Sequence, residues 1–421
     1  MKHRVKKIFI FVVLLQFCQI GFSQQLGNFF NDSLPRLNFS THGSFDYGSS
    51  VASNQFLNKF IVGGRISRED KDKLYKNLRI RNTVGADVNF KIQTEIPIDS
   101  LLGKTYVSLI FGVEYVEHFD TKISNDLVKL IFDGNKQFSG KQADLSKTNF
   151  NYFSYQQVNA GFINYKKSNG KNAREGIIFS IIKAQQHQAV TVSEGSLFTE
   201  QLGNELVFDL NYIYNGSDTV NTGVKAFNGI GISTDYFTEF FLKNGGKISV
   251  NIDDLGFIQW SKKSIQIEAD SVFSFDGVEI DDIFDINDSL ISSFSKDSLL
   301  EYVSSKKGNG GYSIALPTAF HLSYTHTFNQ KYSSTIGVRY KILSNYVPLI
   351  YATFQYKVSS SFIAQANLLY GGYGKLNFGI TLAKQIKSKY QIILGTEHLG
   401  AYLFPSASYS NNGFLGLKMY F

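Results

Sequence analysis

Cysteine is almost missing from this sequence, with one residue, Cys18, in 421. It falls inside an N-terminal stretch with the marks of a secretory signal. Lys2, Arg4, Lys6 and Lys7 make a basic start, Ile8–Leu15 an apolar core, and Gly21-Phe22-Ser23 a small-x-small cleavage site before Gln24. Phe17 is too bulky to precede a lipidated cysteine. The expected mature chain, residues 24–421, therefore has no disulfide framework, thiolate metal site or thiol nucleophile, although it enters an oxidising compartment. Long apolar runs are missing too. The signal core is too short to span a bilayer, and no later stretch approaches the ~18 apolar residues of a membrane helix. A transmembrane barrel is not excluded, because its signal is alternation and its hydropathy stays near neutral, here −0.11.

A basic surface is also absent. Signal removal takes away four cations and no acid, so the formal charge of +7 becomes +3, and no Lys/Arg stripe supports nucleic-acid binding. Histidine is scattered: His42, His118, His187 and His398 stand singly, without the His-x-x-x-His spacing of a metal site. The glycine-rich pieces at 308–311 and 371–374 precede no helix and read as turns, not phosphate cradles. No cofactor is expected.

What is present is sheet-forming material: 15% aromatics, 38 Phe, 24 Tyr and 36 Gly against 5 Pro. Leu37, Phe39, Thr41, Phe45 and Tyr47 alternate with Asn38, Ser40, His42, Ser44 and Asp46; Val84 to Ile96 alternate with Asp87, Asn89, Lys91, Gln93 and Glu95. Such runs exceed the ~5–6 residues of a soluble strand and match a tilted membrane strand. The pattern recurs at 105–119, 150–166, 176–192, 205–214, 229–240 and 247–260, more weakly at 263–275, and then at 313–328, 332–343, 348–357, 361–371, 374–384, 389–398 and 412–421. Bacterial single-chain barrels have even strand numbers, so these 16 candidates imply 14 or 16 strands within a range of 12–16.

Connection lengths sort by parity, as barrel hairpins require. Segments 48–82, 120–149, 193–204, 276–312 and 399–411 are long and assigned outside, with short outer loops at Asn345 and Gly372. Turns near Ser100, Asn169, Gly216, Lys262, Asn329, Ser359 and at Lys384–Ser388 are assigned to the periplasmic side. Phe328 with Tyr332, Tyr356 with Phe362, and Trp260 sit at strand ends, where aromatic girdles are expected. Ser67 followed by early acids and later lysines, and the periodic stretch Asn125–Phe132, predict helices within two outer loops. Either helix could fold inward as a constriction.

The sequence fits an all-β fold, a transmembrane antiparallel β-barrel of the outer-membrane type, forming one domain after signal cleavage. Lumen-lining candidates are Asp87, Lys91, Glu95, His321, Ser323, Arg339 and Lys341, a mixed set that predicts no sharp ion selectivity. His321 with Ser323 is the best nucleophile–base candidate but lacks an identifiable orienting acid, and no enzyme is expected. The acidic run Asp276–Asp288 has carboxylates for a hard cation but not EF-hand spacing.

Asp254-Leu-Gly-Phe-Ile-Gln-Trp260 resembles a stretch carried by a family of outer-membrane proteins from Bacteroidota without assigned function, as do Phe22–Gln24 and Leu57–Gly64. The resemblance implies a barrel and no activity. In architecture the chain is distantly similar to long-chain fatty-acid transporter barrels and to PorP/SprF-type proteins linked to type IX secretion, although residues 24–36 are short for an N-terminal hatch. The alternating end Leu415, Leu417, Met419, Phe421 resembles the C-terminal assembly signal of such barrels, read by the barrel-assembly machinery. The expected location is the outer membrane, in contact with its lipid and lipopolysaccharide. The expected role is a channel or transporter for a small solute, hydrophobic ones included, and the alternative is a non-conducting scaffold for secretion or surface attachment.

Overall fold

The computed structural model describes residues 29–30, 35–275 and 307–421. The signal segment 1–23 and the acidic run Asp276–Asp288 lie outside the described residues. In chain order the first strands are β1 (Asn38–Ser49), β2 (Asn82–Leu101), β3 (Lys104–Ile123), β4 (Lys141–Asp144), β5 (Thr148–Ser168), β6 (Lys171–Thr199) and β7 (Leu206–Gly216). Next come β8 (Gly229–Phe241), β9 (Lys247–Trp260), β10 (Ile265–Phe275), β11 (Lys307–Asn309), β12 (Ser313–Ala315) and β13 (Ala319–Thr327). The series ends with β14 (Tyr332–Lys341), β15 (Val347–Ser359), β16 (Phe362–Gly372), β17 (Leu376–Ile386), β18 (Tyr390–Thr396) and β19 (Ser410–Tyr420).

Fourteen of these strands make a closed antiparallel ring in the order β1-β2-β3-β5-β6-β8-β9-β13-β14-β15-β16-β17-β18-β19. Closure is β19 against β1, from Asn38↔Tyr420 to Gly48↔Ser410, with the Phe421 N–H donating to Leu37 O at 3.0 Å. A ring leaves no strand edge, so every wall backbone group has a ladder partner available.

The wall is apolar outside and polar inside. On β16 and β17, Leu368, Tyr370, Leu376, Phe378 and Ile380 are exposed, while Gln365, Asn367, Asn377 and Thr381 are buried. Water would invert that arrangement; hydrocarbon around the wall accounts for it. The fold is therefore a barrel of the outer-membrane type. One rim, the turn end, has short connections. Leu102-Gly103 and Asn169-Gly170 take positive φ at both positions, as two-residue hairpins with right-handed twist need. Exposed Phe328 and Tyr332 lie at this rim, and Tyr332 stacks on Tyr356 with ring centroids 5.1 Å apart.

At the opposite rim, the loop end, β6 outgrows the wall. Beyond Gln188 it pairs with β7, β7 pairs with β10, β10 with β11, and β4 lies along the tip of β6. These strands form a sheet projecting above the barrel. The runs 205–214 and 263–275 therefore belong to this sheet, and the turns at Gly216 and Lys262 lie at the loop end, not among the short turns. Hairpin 242–246 takes the turn-end place instead. Projecting strands bury one face against neighbours and show the same alternation as wall strands, which is why period two alone does not separate them.

Among the described residues four α-helices lie at the loop end: α1 (Asn54–Val62), α2 (Arg68–Lys76), α3 (Asn125–Asp133) and the single turn α4 (Gly400–Leu403). Ser53, Ser67 and Ser124 cap the first three. Phe56, Leu57, Leu74 and Val128 from α1–α3 share one apolar core with Val51 and Ala52, so the helices pack together over the mouth. At the turn end, Phe30 is buried among Ile363, Ala383 and Ile393 on the inner face of β16–β18.

Candidate functional site: a closed lumen

Inward-facing polar groups meet across the barrel rather than lining an open bore. The Lys341 amine lies 2.6 Å from Asp87. Asp87 is on β2, the second strand of the ring, and Lys341 ends β14, the ninth, so the pair joins walls half a ring apart. The other Asp87 oxygen accepts from His118 Nδ1 at 2.7 Å, and His118 Nε2 lies 2.9 Å from Asp120. Asn345, in the loop after β14, donates to Asp120 and to Asn149 (2.6 Å) on the far wall. Arg339 forms a buried pair with Glu397 at 3.3 Å. Tyr373, after β16, is buried against Gly85 of β2, where any Cβ would intrude on its ring. Glycine there permits the close approach of the two sides.

Nearer the turn end, Lys91 is 3.0 Å from Glu114, and Gln157 donates to Glu114 at 3.0 Å. Glu95 accepts from Asn38 (2.9 Å) and Tyr165 (2.5 Å). His321 sits 3.6 Å from Asp253, and Ser323 shares a register row with Gly337 and Tyr351. Among the described residues no hydrogen bond joins His321 to Ser323. Among the same residues, no group of three or more His, Cys, Asp or Glu side chains is placed to hold a metal ion.

The seven sequence-selected residues thus fall into separate places: Asp87 with Lys341, Lys91 with Glu114, Arg339 with Glu397, His321 with Asp253, Glu95 accepting from the uncharged Asn38 and Tyr165, and Ser323 in the register row of Tyr351. His118, Asp120, Asn345 and Tyr373 complete the cross-lumen lock and were missed. Alternation gives the face a residue occupies but not the partner it meets across a lumen.

Beside the lock lies an apolar patch. Phe153, Tyr155, Ile182, Ile258, Trp260 and Leu316 pack together, with His187 4.7 Å from the Phe153 ring and 5.3 Å from Trp260. Trp260 is therefore not a girdle residue; it is 1% exposed inside the barrel. The cause is a β-bulge. Asp254 has φ +57, the pairing of β8 with β9 slips between Thr234 and Tyr236, and the inward face changes from odd to even residues. Asp253 and Asp254 then both face the lumen, and Ile258 and Trp260 follow inward. Gly256, two residues on, has no room for a Cβ against Ile232 O and Ser233. The Asp-Leu-Gly-Phe-x-x-Trp stretch is, in structural terms, this parity switch. A second bulge leaves Gln185 unpaired on β6 and brings His187 to the same patch.

A family model described as a family of unknown function (DUF5723) matches residues 33–397. No curated protein matches the chain. Similar solved structures include a TodX deltaS2S3 mutant, a monoaromatic hydrocarbon channel, with 8% identity, 96% of each chain covered and a TM-score of 0.48. A Pseudomonas aeruginosa FadL homologue shares 9% identity over 91% of this chain and 89% of its own, with a TM-score of 0.40. The translocator domain of the autotransporter NalP from Neisseria meningitidis shares 6% over 99% and 98%, with a TM-score of 0.31.

Proposed function

The chain belongs to the DUF5723 family, and we propose that it serves in the outer membrane as a gated channel for a small solute, captured here shut. The observation that carries this reading is the Asp87–Lys341 pair, a side-chain contact between opposite walls. A permanent scaffold has no need to keep charged groups across its axis, whereas a conduit closed by side chains reopens by breaking a few contacts. The patch around Trp260 and Phe153 offers an apolar foothold beside the lock, so the solute class includes hydrophobic molecules. In this reading residues 1–23 direct export, the loop end faces outward towards lipopolysaccharide, and the seven polar residues named from the sequence line the path. The last strand is the element read by the assembly machinery.

Planar-bilayer recording tests the reading. Inserted wild-type barrels are expected to be mostly silent, and Lys341→Ala to give reproducible conductance steps. Steady large currents from the wild type would show that the lock does not close the path. Silence from wild type, Lys341→Ala and Asp87→Ala alike would favour the scaffold, whose structural support is the sheet projecting at the loop end.

A further inference from the structure

The outward face of β2, β3, β5 and β6 is hollowed into a groove of about 650 Å³. Its upper border is one register row, Phe90↔Tyr115↔Gln156↔Lys183↔Ile230. One row closer to the turn end, Val113, Val158 and Ile181 form the floor and are 48%, 63% and 65% exposed. One row closer to the loop end the outward residues on β3, β5 and β6 are Glu117, Ser154 and Gln186, while β2 continues with the apolar Val88. On these three strands the border is therefore where the wall changes from apolar to polar, the depth of a lipid headgroup.

Lys183 is the cation at this boundary. Its amine donates to Gln156 Oε1 at 3.3 Å and to the Val224 carbonyl at 3.4 Å, both neutral, and it forms no ion pair among the described residues. Glu114, the carboxylate bordering the groove, is on the inward face and paired with Lys91; Glu117 accepts from the Tyr115 hydroxyl. Phe227 flanks the floor opposite Phe90. It belongs to a loop pinned to the rim, since Asn228 donates to Gln185 O at 2.6 Å and to Asn221 O at 2.7 Å.

We propose that this groove is a binding site for one anionic membrane lipid, lipid A in the leaflet that the loop end faces, for which phosphatidylglycerol serves as the probe. An acyl chain lies over Val113, Val158 and Ile181 between the two phenylalanines, and the headgroup phosphate meets Lys183. The occupant follows from position: what surrounds this face is hydrocarbon below the row and headgroups at it, and an uncompensated ammonium selects negative charge there. The inference rests on the wall lying in a membrane, not on whether the lumen conducts.

Native mass spectrometry of the full protein, extracted in mild detergent and exchanged into micelles containing palmitoyl-oleoyl phosphatidylglycerol or phosphatidylcholine, tests it. One phosphatidylglycerol is expected to be retained several-fold over phosphatidylcholine with the same chains, and millimolar inorganic phosphate should not displace it. Lys183→Gln should abolish the headgroup preference, while Ile181→Trp, which fills the floor, should abolish retention of both lipids. Val158→Phe fills the floor independently should Ile181→Trp fail to form a heat-modifiable barrel. Equal retention of the two lipids by the wild type, or undiminished retention by barrels with a filled floor, would overturn the proposal. Conductance of the Lys341→Ala variant is untouched by either result, so this site and the channel reading fail separately.

Discussion

Asp87 holds two partners from different walls, and its role illustrates what a residue's face does and does not reveal. Alternation with Val88 and Phe90 places it inward from sequence alone. Nothing in the local sequence points to Lys341, 254 positions away, because a cross-lumen contact depends on how far the ring is flattened. Trp260 shows the opposite failure. Its position at a strand end read as a girdle, yet the Asp254 bulge turned it in. Because Trp260 is the sole tryptophan, intrinsic emission reports on that bulge. The folded wild type should emit at the short wavelengths of a buried indole. Gly256→Ala forces a Cβ against Ser233 and Ile232 O, and the strain of overpacking is of order 1–3 kcal/mol. A red-shifted emission maximum and a lower unfolding midpoint are expected; unchanged emission would show that the bulge does not hold Trp260 in place.

Among elements, the capped helices were the most legible. Ser67 followed three residues later by Asp70, with lysines towards the end, announced α2, and the structure closes that capping box: the Ser67 N–H donates to Asp70 Oδ2 at 2.8 Å and the Asp70 N–H to Ser67 Oγ at 3.2 Å. Helix α1 carries a weaker signal, Ser53 before a largely apolar run, inside the long outer segment 48–82. Lys59 of α1 donates to Asp70 at 2.7 Å. That bond, then those from the Ser67 hydroxyl and N–H, lower the Asp70 pKa from its ordinary 3.8 to about 2. A depressed carboxylate stabilises the folded state at pH above its unfolded value, and the contribution disappears as pH falls through the folded one. The α1–α2 cover should therefore keep its amide-exchange protection down to about pH 4 and lose part of it between there and pH 2. Asp70→Asn should remove that acid-dependent step and lower protection at neutral pH; a step that persists in the variant would assign it elsewhere.

At the scale of the whole molecule, the alternating runs and the parity of loop lengths gave the barrel, but 16 candidates became 14 wall strands. The two extra runs are real strands of the projecting sheet, and sequence period does not report whether a strand's outer face meets lipid or water. The seam is the other global feature. Met419 pairs with Phe39 and Leu417 with Thr41 across it, while Phe421, 67% exposed, stands at the turn end. Phe421→Ala should lower the yield of heat-modifiable, membrane-inserted protein in cells and leave in vitro refolding nearly unchanged. An equal loss in both would make its role one of seam stability rather than recognition.

Strand β6 runs unbroken for 29 residues, from a tight turn at one rim to the tip of the projecting sheet. At ~3.3 Å per residue it is a rod of roughly 95 Å. Its lower part is bonded on both sides to the wall. Mechanically it is a mast stepped in the hull. A pull on the tip along the strand loads its rungs in shear, many at once, instead of peeling them one by one. A sideways push instead applies torque at Gln185, where the ladder is one rung short and the pinned loop is fastened. Whatever touches the sheet from outside is therefore mechanically connected to the wall beside the lock, through a strand whose ladders slip at Gln185 and again between Val192 and Glu194.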